Sequence, residues 1–312
     1  MKQHHLKALL AAAQTGTIRA AARQLNLSQA ALTKSLKELE GEVGAELLIR
    51  SYRGVQLTAA GKILHDRAKV ARQQLDIAQS EIHALTGQGQ IKLSVGVTPM
   101  VVLSVLPDVW AHFRRLRPLV ALNLREGLPS IVAPALVEGE MDFAVIMAEP
   151  ALVPEALSFE PLVRTAFYVV GRKGHPMAGT GDVQSLMDYE WILSMHAGSY
   201  SERVVNWMIS RGLAPPRRIL DTNSTLINWQ LVSSTDMLTV LPAVFFEDPS
   251  IGAQTAGLVR FDVDLPDAVL GILRLKHAPP STAAATLADL FRHYLRQQQS
   301  GGGAALGDIK PL

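Results

Sequence analysis

The sequence predicts an α/β protein that begins with a winged helix-turn-helix head. Three observations lead there. Residues 17–58 hold two short helical patterns, a tight turn and a β-hairpin; residues 59–86 keep an unbroken heptad of apolar positions; and from Ile91 to Gln298 strand-like and helix-like stretches alternate.

In the head, a first helix is expected over residues 4–14, burying Leu6, Leu9, Leu10 and Ala13, with Gly16 ending it and Thr17 capping the next. His4 and His5 are expected to be solvated, because no partner stands nearby at metal-site spacing. The apolar stretch is short and runs into Arg19 and Arg23 in a helical pattern, unlike a secretion signal, so a cytoplasmic protein is expected. Asn26, Leu27 and Ser28 form the turn, and the Ser28 hydroxyl can cap the helix that follows. At about 100° per residue, Leu32, Leu36, Leu39 and Val43 fall on one stripe. Ala30, Thr33, Lys34 and Lys37 share another arc, with Gln29 at its edge. Gln pairs bidentately with adenine, Thr suits several base edges, and Lys neutralises phosphate. An ordinary amphipathic surface helix would look the same in isolation, so the neighbours decide. Ile18, Ala21, Ala22 and Leu25 offer a small-residue face for a crossing helix. Residues 47–50, a turn at Arg53-Gly54 and residues 55–57 make a wing with Arg50 and Arg53 at its tip, placed for phosphate or minor-groove contact.

Ala20-Ala21-Ala22, Leu25, Ser28-Gln29, Leu39-Glu40, Leu48-Ile49-Arg50, Arg53 and Leu57-Thr58-Ala59-Ala60-Gly61 together resemble, without a gap, the N-terminal signature of the LysR-type transcriptional regulators. Ala30 stands where that family commonly has proline, and Thr33 where it commonly has serine. The resemblance implies a homotetramer, a dimer of dimers, bound to double-stranded promoter DNA. It would answer to a small-molecule effector and act on RNA polymerase. DNA contacts are expected from Ser28, Gln29, Ala30, Thr33, Lys34, Lys37, Arg50 and Arg53.

Composition narrows the alternatives. The chain has 312 residues, 48% of them apolar and 19% charged, which is globular and enough for several domains. No run approaches the roughly 18 apolar residues a membrane helix requires, so no membrane partner is expected. Cysteine is absent, which excludes disulfides, thiolate metal sites and cysteine-based redox sensing. Residues 1–87 hold 12 Lys plus Arg against 7 Asp plus Glu, while the remainder holds 18 against 21. A basic head on a mildly acidic body fits nucleic-acid contact at one end only.

The long helix from Thr58 to about Thr86 carries Leu64, Ala68, Ala71, Leu75, Ala78, Ile82 and Leu85 at alternating spacings of four and three, a coiled-coil seam. A single helix lying on its own domain is the plainer alternative; the polar residues on the other faces favour a dimer. Gly87-Gln88-Gly89 breaks the pattern and marks a boundary. Strands are then expected near residues 91–98, 120–125, 141–147, 159–163, 167–171, 191–194, 217–221, 237–241, 258–261 and 269–276. Helices fall near 106–116, 130–138, 201–211, 224–233, 243–248 and 282–298. The rhythm argues for a largely parallel sheet.

The resemblance further implies a regulatory part of two α/β lobes, built like a type II periplasmic binding protein. The expected division is 1–58 head, 59–87 linker helix, 91–299 regulatory part and 300–312 disordered tail. Lobe I would hold 91–163 and 269–299, and lobe II 164–268.

Ligands in open α/β sheets sit off the carboxyl ends of strands, where helix N-termini point free amides. Four turns qualify, around Thr98-Pro99-Met100, residues 196–201, Asn223-Ser224-Thr225 and Pro242. Converging, they would present Thr98, Pro99, Met100, Met147, Ser199, Arg203 and Asn223 to a small anionic effector. Each has a plainer reading: Ser199 and Ser224 as caps, Arg203 paired with Glu202 or Asp221, the methionines and the tryptophans Trp207 and Trp229 as core. No phosphate loop, nucleophile elbow or zinc-protease motif is present, so no catalytic residue, metal or cofactor is expected. The alternative is a small-molecule binding protein or enzyme of the solute-binding fold, with a helical extension for assembly and no sequence-specific DNA binding.

Overall fold

In the computed structural model, which describes residues 1–51, 54–86, 89–179, 183–247 and 255–301, the chain forms two compact units: Met1–His83 with His277–Pro279, and the remainder. Arg53, Gly87, Gln88 and residues 302–312 of the expected tail lie outside the described residues.

The first unit contains α1 (Gln3–Thr15), α2 (Ile18–Gln24), α3 (Gln29–Val43), β1 (Leu48–Ser51), β2 (Gly54–Leu57) and most of α4 (Ala59–Leu85). Its helix ends follow local chemistry. Gly16 and Gly44 take the left-handed conformation at the C-caps of α1 and α3. Thr17 accepts from the Ala20 amide at 3.2 Å, and Ser28 from the Ala31 amide at 3.1 Å. Leu9, Ala12, Ala21, Ala22, Leu32, Leu36 and Leu39 close the core where the three helices cross. Val43, expected on the same stripe, is 40% exposed instead. The core made with α1 and α2 ends at Leu39, and Gly44 then turns the chain toward the wing. His5 corrects a second expectation. It is buried, not solvated, and its Nε2 lies 3.1 Å from Glu38 Oε2, a residue 33 positions away that the crossing of α1 and α3 brings in.

The wing is anchored at Leu47. The Leu47 and Leu48 amides donate to Glu40 Oε1 at 2.9 and 3.3 Å, tying it to α3. On the other side the Thr58 amide donates to the Leu47 carbonyl at 3.0 Å. The Thr58 hydroxyl donates to the Glu46 carbonyl at 2.7 Å and accepts from the Gly61 amide at 2.9 Å. A Cβ on Gly61 would stand 2.0 Å from the Leu47 carbonyl oxygen, so only glycine lets α4 start this close to the wing.

The second unit holds two lobes. Lobe I is built on a five-stranded sheet of order β4-β3-β5-β12-β6, from β3 (Lys92–Val97), β4 (Ala121–Glu126), β5 (Phe143–Met147), β6 (Leu157–Thr165) and β12 (Ala268–Leu275). Its helices are α5 (Pro99–Ser104), α6 (Leu106–Leu116), α7 (Pro129–Val137) and a C-terminal helix (Thr282–Gly301). Phe113 of α6 and Leu287 and Phe291 of the C-terminal helix share its core. Lobe II contains β7 (Phe167–Arg172), α8 (Val183–Leu186), β8 (Glu190–Leu193), α9 (Tyr200–Ser210), β9 (Arg218–Asp221), α10 (Thr225–Ser234), β10 (Thr239–Pro242), α11 (Val244–Glu247) and β11 (Leu258–Phe261).

The sheets are mixed rather than largely parallel. β3 pairs in parallel with β4 and β5, and β8 with β9. However, β12 runs antiparallel between β5 and β6, and β7 is antiparallel to both β10 and β11. The cause is the chain's path. After building lobe II it must return to lobe I, and the returning strand enters the first sheet against the direction of the strands already there. The crossings lie side by side, Thr165 opposite Ala268.

Two stability outcomes follow. Gly61→Ala should destabilise the first unit by about 1–3 kcal/mol, read by urea unfolding of the full chain with a probe in residues 1–58. Arg292 of the C-terminal helix grips Glu160 of β6 through two 2.8 Å bonds, which hold the Glu160 carboxyl below the usual carboxylate range, burial partly opposing. A lowered folded-state pKa gives stability present above the ordinary carboxylate pKa and lost as pH falls through the folded value. Glu160→Gln should therefore cost no more than about 1 kcal/mol at neutral pH, because the pair is partly exposed, and should remove part of the acid-limb slope in a pH series of unfolding curves.

Candidate functional site

Two surfaces carry the expected chemistry. On α3, Ser28, Gln29, Ala30, Lys34 and Lys37 are exposed and Thr33 is half-buried, while Leu32, Leu36 and Leu39 on the opposite face are buried. Lys34 Nζ stands 3.9 Å from Glu38 Oε1, a loose pair that leaves the cation 80% exposed. Arg50 is exposed and lies 3.9 Å from Glu40 Oε2. It sits opposite Val55, one residue short of the closing Ser51–Gly54 pair, so it belongs to the wing strand rather than its tip. The wing is pinned to the turn before α2 by the Val55 amide, which donates to the Gly16 carbonyl at 2.8 Å.

The second surface is a cleft of about 150 Å³ between the lobes. Pro99, Met100, Met147, Ser199 and Asn223 all line it, as the sequence expected of them. Thr98 is buried beside it as the residue before α5, and its hydroxyl has no hydrogen-bond partner among the described residues. Both expected caps are present: Ser199 accepts from the Glu202 amide at 3.1 Å and Ser224 from the Ile227 amide at 3.3 Å. The N-termini of α9 and α10 consequently open on the cleft.

Arg203 lies apart. It lines an adjoining cavity of about 450 Å³ that shares Met147, Ser199 and Tyr200 with the cleft. Its partner is neither Glu202 nor Asp221 but Glu149 of lobe I, at 3.0 Å. Asp221 instead accepts from the Met195 amide at 2.9 Å. A second cross-lobe contact runs from the Thr225 hydroxyl to Glu126 at 3.1 Å.

Several lining residues escaped the sequence. Tyr200 stacks on Phe167 and donates to the Pro266 carbonyl at 2.7 Å; burial pushes its phenol pKa up, so it is a neutral wall of the cleft. Trp229, expected as core, packs against the core and also faces the cleft. Asn228 donates to the Thr239 hydroxyl at 2.9 Å, and its carbonyl oxygen is buried without a hydrogen-bond partner among the described residues. The available signal was position: Asn228 lies one helical turn beyond the cap Ser224, and Tyr200 follows the cap Ser199 directly.

Residues 3–62 match the family model described as "Bacterial regulatory helix-turn-helix protein, lysR family", and residues 86–296 match the "LysR substrate binding domain". The chain belongs to the LysR family of transcriptional regulators. The HTH-type transcriptional regulator TdcA of Escherichia coli K12 is 26% identical over 294 residues, covering 94% of this chain and 93% of TdcA. Full-length LysG of Corynebacterium glutamicum, solved with bound effector Arg, superposes with a TM-score of 0.67 at 19% identity, covering 95% of this chain and 99% of that one. Full-length CbnR in complex with its target DNA superposes at 0.55 with 19% identity, over 94% and 100% of the two chains. At these identities the structures establish the LysR fold alone. As a LysR-type protein the chain is a DNA-binding regulator with an effector-binding domain, not an enzyme.

Proposed function

We propose that this regulator reads promoter DNA through α3 and is switched by a small anionic effector held between its lobes. The observation carrying the DNA half is the division of α3: Gln29, Lys34 and Lys37 face solvent while the leucine stripe is consumed by the core. Gln29 and Lys34 would read bases with Thr33 and Ala30, and Ser28, Lys37, Arg50 and Arg53 would hold the backbone. The outer part of the α4 seam, with Leu75, Ile82 and Leu85 each more than half exposed, supports pairing with a second copy. On this reading the assembly is a homo-oligomer, a dimer of dimers, working on DNA in the cytoplasm.

The effector half rests on the cleft's lining. It combines Ser194, Ser201, Thr222, Asn223 and Thr225 with two helix N-termini and has no carboxylate among its described lining residues, Glu126 standing behind Thr225. Its volume falls below the roughly 300–1,000 Å³ of drug-sized pockets, which favours a small acid. The unpartnered Asn228 oxygen suits a donor on the same ligand. Binding there would shift the lobes about the crossing strands and so change how the paired heads meet DNA.

On DNA from upstream of its own gene, at fixed salt, Gln29→Ala should lose about 1–3 kcal/mol and relax sequence choice. Lys37→Ala should weaken cognate and random DNA alike and lower the salt slope by about one. Equal loss on both DNAs for Gln29→Ala would overturn the assignment of reader and holder. In a thermal-shift screen of the full chain, small carboxylic acids should raise the Tm while their neutral amides leave it unchanged; matching shifts for acid and amide would refute an anionic effector.

A further inference from the structure

We propose that His4, His5 and Glu38 form a zinc site joining the start of α1 to α3. One ligand atom from each residue lies within 4.8 Å of the others, although the carboxylate is more than thirty residues away in sequence. His5 Nε2 and Glu38 Oε2 are 3.1 Å apart. Two ligands on a tetrahedral zinc, at about 2.0–2.1 Å each, stand about 3.3 Å from one another, so this pair is already at a shared-ion separation and would exchange its hydrogen bond for the ion by turning, not by moving apart.

The buried histidine adds an independent sign. His5 is 1% exposed, and its Nδ1 has no hydrogen-bond partner among the described residues, with Glu42 Oε2 standing 3.7 Å away. A histidine that binds metal through one nitrogen usually turns the other toward a carboxylate, and Glu42, whose Oε2 also pairs with the Met1 α-ammonium at 3.2 Å, stands on that side. His4 is exposed, with its ring centroid 4.4 Å from that of His5, so it can swing in from solvent as the third ligand. Water would complete four-coordination. Two imidazoles and a carboxylate suit zinc better than magnesium or calcium.

The site also reaches the DNA-reading face. The Glu38 carboxylate lies between His5 and Lys34, whose Nζ is 3.9 Å from it. Committing that carboxylate to a cation frees Lys34 for a phosphate or base edge. This coupling rests on α3 being the reading helix; the metal site itself does not.

The test uses the full chain stripped with a chelator, then titrated with zinc chloride against a chromophoric chelator. Wild type should take up one high-affinity zinc per chain with a rise in Tm. His4→Gln, on an exposed side chain outside the core, should bind at least about tenfold more weakly with its metal-free Tm unchanged, and Glu38→Gln should weaken binding similarly. Equal zinc affinity in wild type and His4→Gln overturns the site, whatever the other histidines bind. Zinc should also tighten wild-type binding to the upstream DNA and leave His4→Gln unaffected. Tight zinc binding with unchanged DNA affinity would overturn the coupling through Lys34 and leave the site standing. Loss of DNA binding in Gln29→Ala with zinc uptake intact separates this proposal from the reading of α3.

Discussion

The peptide groups around Leu47 are held from two directions at once, and the geometry of the whole head depends on it. The Glu40 carboxylate takes two amides there, and Thr58, the residue before α4, donates its amide and its hydroxyl to the neighbouring carbonyls. The backbone groups of Leu47 and Leu48 that are buried in this junction must find partners or lose stability. The result fixes three things relative to one another: the axis of α3, the direction of the wing and the departure of α4. A single carboxylate thereby ties the exposed face of α3 to the wing. Glu40 also stands near Arg50, so its charge is partly balanced without either group leaving solvent entirely.

The regulatory unit solves a different problem. Its two lobes must be separate enough to leave a cleft and joined enough to move as a pair. The chain meets both needs by running β6 into lobe II and returning along β12, which lies between β5 and β6. The N-termini of α9 and α10 then meet Met100 and Met147 of lobe I across the opening, giving a polar wall opposite an apolar one. Among the described residues, Glu149 with Arg203 and Glu126 with Thr225 add polar side-chain contacts between the lobes.

Much of this was legible in the residues because it is local. The leucine spacing in α3, the caps Thr17, Ser28, Ser199 and Ser224, and the alternation in β3 each depend on neighbours within a turn or two. Strand direction was not legible: alternation marks a strand but not its orientation, and β12 reverses only because of where the chain has already been. Side-chain partnerships across long separations were hidden for the same reason. His5 with Glu38 and Arg203 with Glu149 join segments that only the fold makes neighbours. Tyr200, Asn228 and Trp229 were passed over because a core residue and a cleft residue look alike when only helical position is known.

The adjacency of the two crossings has a mechanical consequence. Tethers laced into one ladder, with Thr165 against Ala268 and Arg164 against Val269, make a door hinge rather than a ball joint. Swinging about the line of the strands bends only soft backbone torsions, whereas twisting one lobe against the other would tear hydrogen bonds. The rim of the opening is thus governed by one angle.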